Sequence, residues 1–99
     1  MLKFVKISDK NGKPSKSIGV QYIGGTVFNC QNAEGVKSAP HLIIEHKRWY
    51  KAMITSPIQE VRIQEALFGP ATVEVYTNNS IYYLESVELE GTAGVDGSN

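Results

Sequence analysis

The sequence predicts a single small α+β domain, in which an antiparallel sheet of about five strands packs against one or two helices. The chain has 99 residues, which is enough for one domain with its own core. Runs that alternate apolar and polar residues indicate strands, and a segment with helical periodicity lies between them. We expect the order β-β-β-α-α-β-β within residues 1–90, followed by a disordered polar tail over residues 91–99.

The first three predicted strands lie in the N-terminal third of the chain. Residues 2–7 alternate apolar and charged side chains, and the turn-forming cluster 9–14 follows them. Two β-prone runs, residues 17–23 and 26–30, flank the pair Gly24-Gly25. Because glycine accepts positive φ without steric cost, this pair predicts a two-residue hairpin turn.

Residues 40–54 carry the clearest helical pattern. On a helical wheel, Leu42, Trp49 and Met53 lie on one apolar stripe, and the basic side chains lie on the opposite stripe. Ile44 is the only large apolar residue that falls among the basic ones. We expect this helix to pack its apolar stripe on the sheet.

A second helix is predicted over residues 58–68 from the signals at its two ends. Ser56-Pro57 is typical of a helix start, and Gly69-Pro70 is typical of a helix end. The apolar residues of this segment scatter around the wheel, however, so a strand over 61–68 is the alternative. With a strand there, the fold becomes a small, mostly β barrel.

Residues 72–77 and 80–90 form the clearest predicted hairpin, joined by Asn78-Asn79. Asparagine tolerates the left-handed conformations that a two-residue turn demands, so this turn defines the register. One face of the hairpin then carries the apolar side chains Val73, Val75, Tyr82 and Leu84. The other face carries Glu74, Tyr76, Ile81 and Tyr83.

The formal net charge is zero, but the charges are unevenly distributed along the chain. Residues 1–51 contain nine basic and three acidic residues, a net of +6, and residues 52–99 contain one basic and seven acidic residues, a net of −6. Either the two halves pair in the fold and their charges cancel, or the basic residues form a surface patch that binds an anionic partner.

The function predicted from these patterns is non-enzymatic protein binding. Tyr76, Ile81 and Tyr83 share the hairpin face that is opposite the apolar one, and tyrosine offers contact area that protein interfaces favour. We therefore predict a binding module, such as an inhibitor, accessory or assembly factor. It would dock to a protein partner, or to a second copy of itself, through this face.

The alternative is a nucleic-acid-binding domain that uses the basic N-terminal half. On a helix, Trp49 and Tyr50 would face the core and could not stack on bases, whereas on a strand Trp49 would share a face with the neighbouring lysines. The phosphate contacts of this alternative would come from Lys13, Lys16, Lys47, Arg48 and Lys51.

No catalytic, metal or cofactor site is predicted. His41 and Glu45 would share a helical face while His46 would lie on the apolar stripe, and two ligands do not make a closed zinc site. The single cysteine, Cys30, allows no internal disulfide. No apolar run approaches the length of a membrane span, and residues 1–10 lack the apolar core of a signal peptide. We therefore expect a cytoplasmic protein without a membrane partner.

Overall fold

Seven antiparallel strands form one sheet in the part of the chain that the structure describes. The computed structural model describes residues 1–48 and 50–87. The helical elements within these ranges are a short 3-10 helix, Ile18–Tyr22, and one α-helix, α1, Ala33–Ser38. The strands are β1 (Leu2–Asp9), β2 (Thr26–Val27), β3 (Ile43–His46), β4 (Lys51–Ile54), β5 (Glu60–Gln64), β6 (Thr72–Tyr76) and β7 (Ser80–Ser86). Their order in the sheet is β4-β3-β2-β1-β7-β6-β5.

The predicted α+β class, with five strands packed on helices, is therefore wrong. The mostly β alternative is closer, but the sheet is open and does not close into a barrel. Within residues 1–48 and 50–87, β4 pairs only with β3, and β5 pairs only with β6. The single domain and the antiparallel pairing of its strands are confirmed.

The segment predicted as a helix over residues 40–54 is a β-hairpin. β3 and β4 pair Ile43 with Ile54, and the described turn residues between the two strands are Lys47, Arg48 and Tyr50. Tyr50 has a φ of 51°, the left-handed conformation that lets the chain reverse tightly. Tyr50 is therefore on the surface and not in the core, while Trp49 lies outside the described residues.

Alternating burial explains why this segment is a hairpin. Leu42 and Ile44 are fully buried, and Ile43 between them lies on the other side of β3. Ile44 is the residue that the helical wheel placed among the basic side chains. Three of the residues in the two strands are isoleucines, whose branched Cβ favours extended backbone.

The second predicted helix, over residues 58–68, is also wrong, because its central part is β5. Val61 and Ile63 point toward the core and are partly buried, whereas Glu60, Arg62 and Gln64 are exposed. This period of two is the strand pattern. The terminal signals, Ser56-Pro57 and Gly69-Pro70, mark loops on either side of the strand.

The hairpin predicted at Gly24-Gly25 is absent, because residues 17–23 do not form a strand. The Ser17 hydroxyl accepts a hydrogen bond from the Gly19 amide and starts the 3-10 helix. The two glycines lie beside β1 instead. The Phe4 amide donates to the Gly25 carbonyl at 2.8 Å, and the Gly24 amide donates to the Phe4 carbonyl at 2.8 Å.

The hairpin of β6 and β7 has the predicted register. Tyr76 pairs with Ile81, Val75 with Tyr82, Glu74 with Tyr83, and Val73 with Leu84. β7 runs to Ser86, and the predicted tail over residues 91–99 lies outside the described residues.

The core occupies one side of the sheet, which we call the inner face. α1 covers part of it and contributes the fully buried Val36, and Asn32 caps the helix by accepting from the Gly35 amide at 2.9 Å. Neither helix in the described ranges is long and apolar enough to cross a membrane. The main core side chains of the strands are Leu2, Phe4, Ile7, Val27, Ile44, Val73, Val75, Tyr82 and Leu84.

Candidate protein-binding face

The predicted docking residues lie on the side of β5, β6, β7 and β1 that is opposite the core, which we call the outer face. A register irregularity between Phe4 and Lys6 lets Phe4 and Ile7 both point inward. Lys6 is thereby brought opposite Tyr83 on the outer face. Other residues on the outer face are Lys3, Ser8, Glu60, Arg62, Glu74, Tyr76, Ile81 and Glu85.

Tyr83 is held from both β1 and β7. The Lys6 ammonium lies 5.1 Å from the centre of the Tyr83 ring, a cation–π contact. The hydroxyls of Tyr83 and the buried Ser8 share a hydrogen bond of 3.2 Å. The ring is half-buried, so one of its surfaces is available while its position is defined by neighbouring strands.

Tyr76 is held in the same manner by β5 and β6. The Arg62 guanidinium lies 4.8 Å from the centre of its ring, and its hydroxyl donates to Glu74 Oε1 at 2.7 Å. Arg62 Nε also donates to Glu60 Oε2 at 2.6 Å, which raises the pKa of Arg62. The hydrogen bond to Glu74 raises the pKa of Tyr76, so its hydroxyl stays protonated at neutral pH.

Ile81 lies between the two tyrosines but is only 6% exposed. It pairs with Tyr76 on one side and with Ser8 on the other, and it is not part of the main core cluster. Ile81 therefore forms the apolar floor of the outer face and offers little contact area itself. The structure brings the three predicted residues together, with the two tyrosines as the accessible members.

Opposite charges face each other across the strands of the outer face. Lys3 pairs with Glu85, and Arg62 pairs with Glu74. The first of these pairs joins the basic N-terminal half to the acidic C-terminal half. On this face, a basic residue of the N-terminal half therefore lies in register with an acidic residue of the C-terminal half.

The basic residues of the nucleic-acid alternative lie in two different segments. Lys13 and Lys16 belong to the loop after β1, where Asp9 Oδ1 accepts from the Lys13 amide at 2.9 Å. Lys47 and Arg48 lie in the turn between β3 and β4, and Lys51 begins β4.

Cys30 is buried, and the rings of His41 and His46 are hydrogen-bonded to the backbone. Burial raises the pKa of the Cys30 thiol, which disfavours the nucleophilic thiolate. His41 Nδ1 donates to the Thr55 carbonyl at 3.0 Å, and His46 Nδ1 accepts from the Arg48 amide at 3.2 Å. In the part of the chain that the structure describes, no three His, Cys, Asp or Glu side chains form a group that could hold a metal ion.

Sequence reasoning missed a second exposed feature, the large apolar side chains next to the edge strands β4 and β5. Leu67 and Phe68 stand exposed in the loop after β5, and Tyr50 stands exposed before β4. The sequence did contain a signal for the first of these. Leu67 and Phe68 directly precede Gly69-Pro70, a turn dipeptide, and turns lie at the surface, so these two apolar side chains could have been predicted to be exposed.

Comparison of the chain with protein-family models, with curated proteins and with solved structures finds no match. The evidence for function is therefore the geometry of the chain itself.

Proposed function

We propose that this protein is a small, non-enzymatic binding module that docks to another protein through its outer face. The observation that supports this most directly is the arrangement of Tyr76 and Tyr83. Each ring carries a cation over one side and a hydrogen bond at its hydroxyl. Tyrosines held in this way lose little conformational entropy on binding, and tyrosine and arginine are enriched among residues that dominate binding energy.

The balance of charge on the outer face favours a protein partner over a nucleic acid. Binding to a polyanion depends on an excess of cations that displaces its counterions. Here Lys3 faces Glu85, and Arg62 lies between Glu60 and Glu74. A mixed polar surface around two aromatic rings has the composition of a protein interface.

The test is a capture experiment with the full chain as bait in host extract, followed by binding measurements on the purified partner. We expect Tyr76→Ala and Tyr83→Ala each to weaken binding by about thirtyfold or more, as expected for residues that dominate an interface. Tyr50→Ala is the matched control, because Tyr50 is 93% exposed before β4, and β3 and β2 separate β4 from these four strands.

Circular dichroism of each variant separates lost binding from lost folding. Folded Tyr76→Ala and Tyr83→Ala proteins that bind their partner as the wild type does would overturn the proposal. So would a captured partner that disappears on nuclease treatment and whose binding falls steeply with salt, because that behaviour identifies a nucleic acid.

A further inference from the structure

The open edge of β5 presents backbone groups that no strand of the described chain pairs with. Successive residues of an antiparallel strand turn their amide and carbonyl groups alternately to its two sides. The Thr77 amide donates to the Ser80 carbonyl at 3.0 Å, so the odd-numbered residues of β6 bond to β7 and the even-numbered ones bond to β5. Arg62 therefore bonds to β6, and the amide and carbonyl groups of Val61 and Ile63 point to the open edge.

The charges of β5 are arranged so that the strand is complementary to an antiparallel copy of itself. Val61 points toward the core, and the oppositely charged Glu60 and Arg62 lie on either side of it on the outer face. Their side chains are 51% and 62% exposed, so both can be reached by a second chain. When such a strand is turned end to end, each charge meets the opposite one.

We propose that β5 of one copy pairs antiparallel with β5 of a second copy, about a twofold axis that is perpendicular to the sheet at Val61. This rotation turns the second sheet within its own plane, so both inner faces lie on the same side of the joined sheet. Val61 then lies opposite Val61 of the second copy, and Glu60 lies opposite Arg62 of the second copy, twice by symmetry. These charged pairs are the non-hydrogen-bonded pairs of the new ladder, in which side chains approach most closely.

Charge selects this register among its neighbours. A shift of two residues in one direction places Arg62 opposite Arg62, and a shift in the other direction places Glu60 opposite Glu60, which is destabilising. A shift of one residue would oppose an inward side chain to an outward one. The other open edge, β4, contains one charged residue, Lys51, so no register of β4 with itself pairs opposite charges.

The apolar side chains at the two ends of β5 also favour this contact. Leu67 and Phe68, in the loop after β5, are 92% and 88% exposed. Before β5, Pro57 is exposed and Ile58 is half-buried. Antiparallel pairing brings the end of one β5 beside the start of the other, so the Leu67-Phe68 loop of each copy approaches the Pro57-Ile58 segment of its partner. Exposed apolar residues are ordinary singly, but here one contact covers both sets.

The position of α1 is compatible with this contact. α1 packs against β5, but its Val36 is fully buried in the core cluster that Val61 and Ile63 border. The helix therefore approaches β5 from the inner face and not along the open edge. Because both copies use the same edge, the interface is isologous and closes as a dimer. The two outer faces then lie on the same side of the joined sheet.

The experiment is sedimentation velocity on the full chain over a range of concentrations, with charge-reversal variants. The wild type should pass from monomer to dimer and form no larger species. Glu60→Arg and Arg62→Glu each oppose like charges at both symmetric contacts, so the dissociation constant of the dimer should rise at least about tenfold. Lys13→Glu makes the same charge change as Arg62→Glu in the loop after β1 and should dimerise as the wild type does.

Recombining the charges tests the pairing itself. An equimolar mixture of the two single variants should form a heterodimer, because one copy is then negative and the other positive at both positions. The double variant Glu60→Arg/Arg62→Glu should recover the homodimer. Circular dichroism verifies that each variant is folded, so that lost dimerisation is not lost folding.

A proline in β5 tests the backbone contact independently of charge. The Val61 amide points to the open edge, so Val61→Pro removes no hydrogen bond between β5 and β6, but it removes the amide at the twofold axis. This variant should stay folded and monomeric. Val61→Ala keeps the amide and should dimerise at lower concentration than Val61→Pro does.

Four results would overturn this inference. The first is a wild-type protein that stays monomeric at every soluble concentration. The second is a dimer that Val61→Pro does not weaken. The third is failure of both the mixture and the double variant to dimerise although they are folded. The fourth is a dimer that is lost in Tyr83→Ala, because that variant leaves the β5 edge unchanged and its loss would place the contact on the outer face.

Discussion

At the scale of single residues, position in the sheet determines what a side chain contributes. Phe4 and Phe28 are chemically identical, yet Phe4 is fully buried against Tyr82, with ring centres 5.5 Å apart, and Phe28 is 65% exposed. Cys30 is buried and its thiol has a raised pKa, so it behaves as a small apolar residue.

Replacement of Phe4 tests this assignment of the core. Phe4→Ala should lower the free energy of unfolding by about 3–5 kcal/mol, because it leaves a cavity between β1 and the residues around Tyr82. Phe28→Ala should lower it by less than about 1 kcal/mol, because its ring is largely in water already. Urea denaturation measures both values, and equal losses would contradict the assignment of the core to the inner face.

At the scale of elements, the close approach of backbones restricts which residue a position can hold as much as strand propensity does. Gly25 directly precedes β2, and the backbones of β3 and of the end of the 3-10 helix both lie very close to it. A Cβ atom on Gly25 would lie 2.7 Å from the Glu45 carbonyl oxygen and 2.9 Å from the Tyr22 carbonyl oxygen. Backbone atoms cannot move aside as the end of a side chain can.

Gly25→Ala should therefore destabilise the protein by about 1–3 kcal/mol, the usual cost of overpacking. Gly19→Ala is the matched control, since its Cβ would meet side-chain atoms and no backbone: Ile7 Cδ1 at 2.9 Å, Ser17 Oγ at 3.4 Å and Met53 Cε at 3.5 Å. Thermal unfolding of the two variants side by side measures the difference. A Gly25→Ala protein as stable as Gly19→Ala would show that β2 and β3 are not this close.

The elements also show why some of the fold was predictable. The register of β6 and β7 follows from Asn78-Asn79 and the alternation around it, which is local information. The pattern of residues 40–54 was misleading because two short strands and a turn happened to fill one helical stripe. Ile44 was the local sign of the error, since a strand buries it and a helix would expose it.

At the scale of the whole molecule, the first and last described strands lie side by side in the middle of the sheet. β1 pairs with β2 on one side and with β7 on the other, so the N-terminal and C-terminal halves share one core. Such pairing is remote in sequence, and it makes the stability of each half depend on the other.

Separate fragments of residues 1–56 and 57–99 should therefore be unfolded, because the first exposes one side of β1 and the second exposes one side of β7. Mixed together, they should recover the β-sheet signal in circular dichroism. Cooperative thermal unfolding of either fragment alone would contradict a shared core and would indicate two independent units.

The outer face illustrates how far the sequence reaches toward function. Alternation placed Tyr76, Ile81 and Tyr83 together, and the structure confirms that they share a face. The sequence pattern could not show that Ile81 is nearly covered, or that Lys6 and Arg62 lie over the two tyrosine rings, because these cations come from β1 and β5. Contacts between strands remote in sequence leave no local pattern.

The sequence by itself determined one antiparallel domain, the strand over residues 2–7, the register of β6 and β7, and the uneven distribution of charge. These features depend on neighbours in the chain, such as alternation and turn residues. Only the tertiary structure decided that residues 43–46, 51–54 and 60–64 are strands, that opposite charges face each other on the outer face, and that β4 and β5 are the open edges among the residues the structure describes. Strand order is decided by which apolar faces fit together across the whole sheet, a competition among distant segments that no local window of sequence contains.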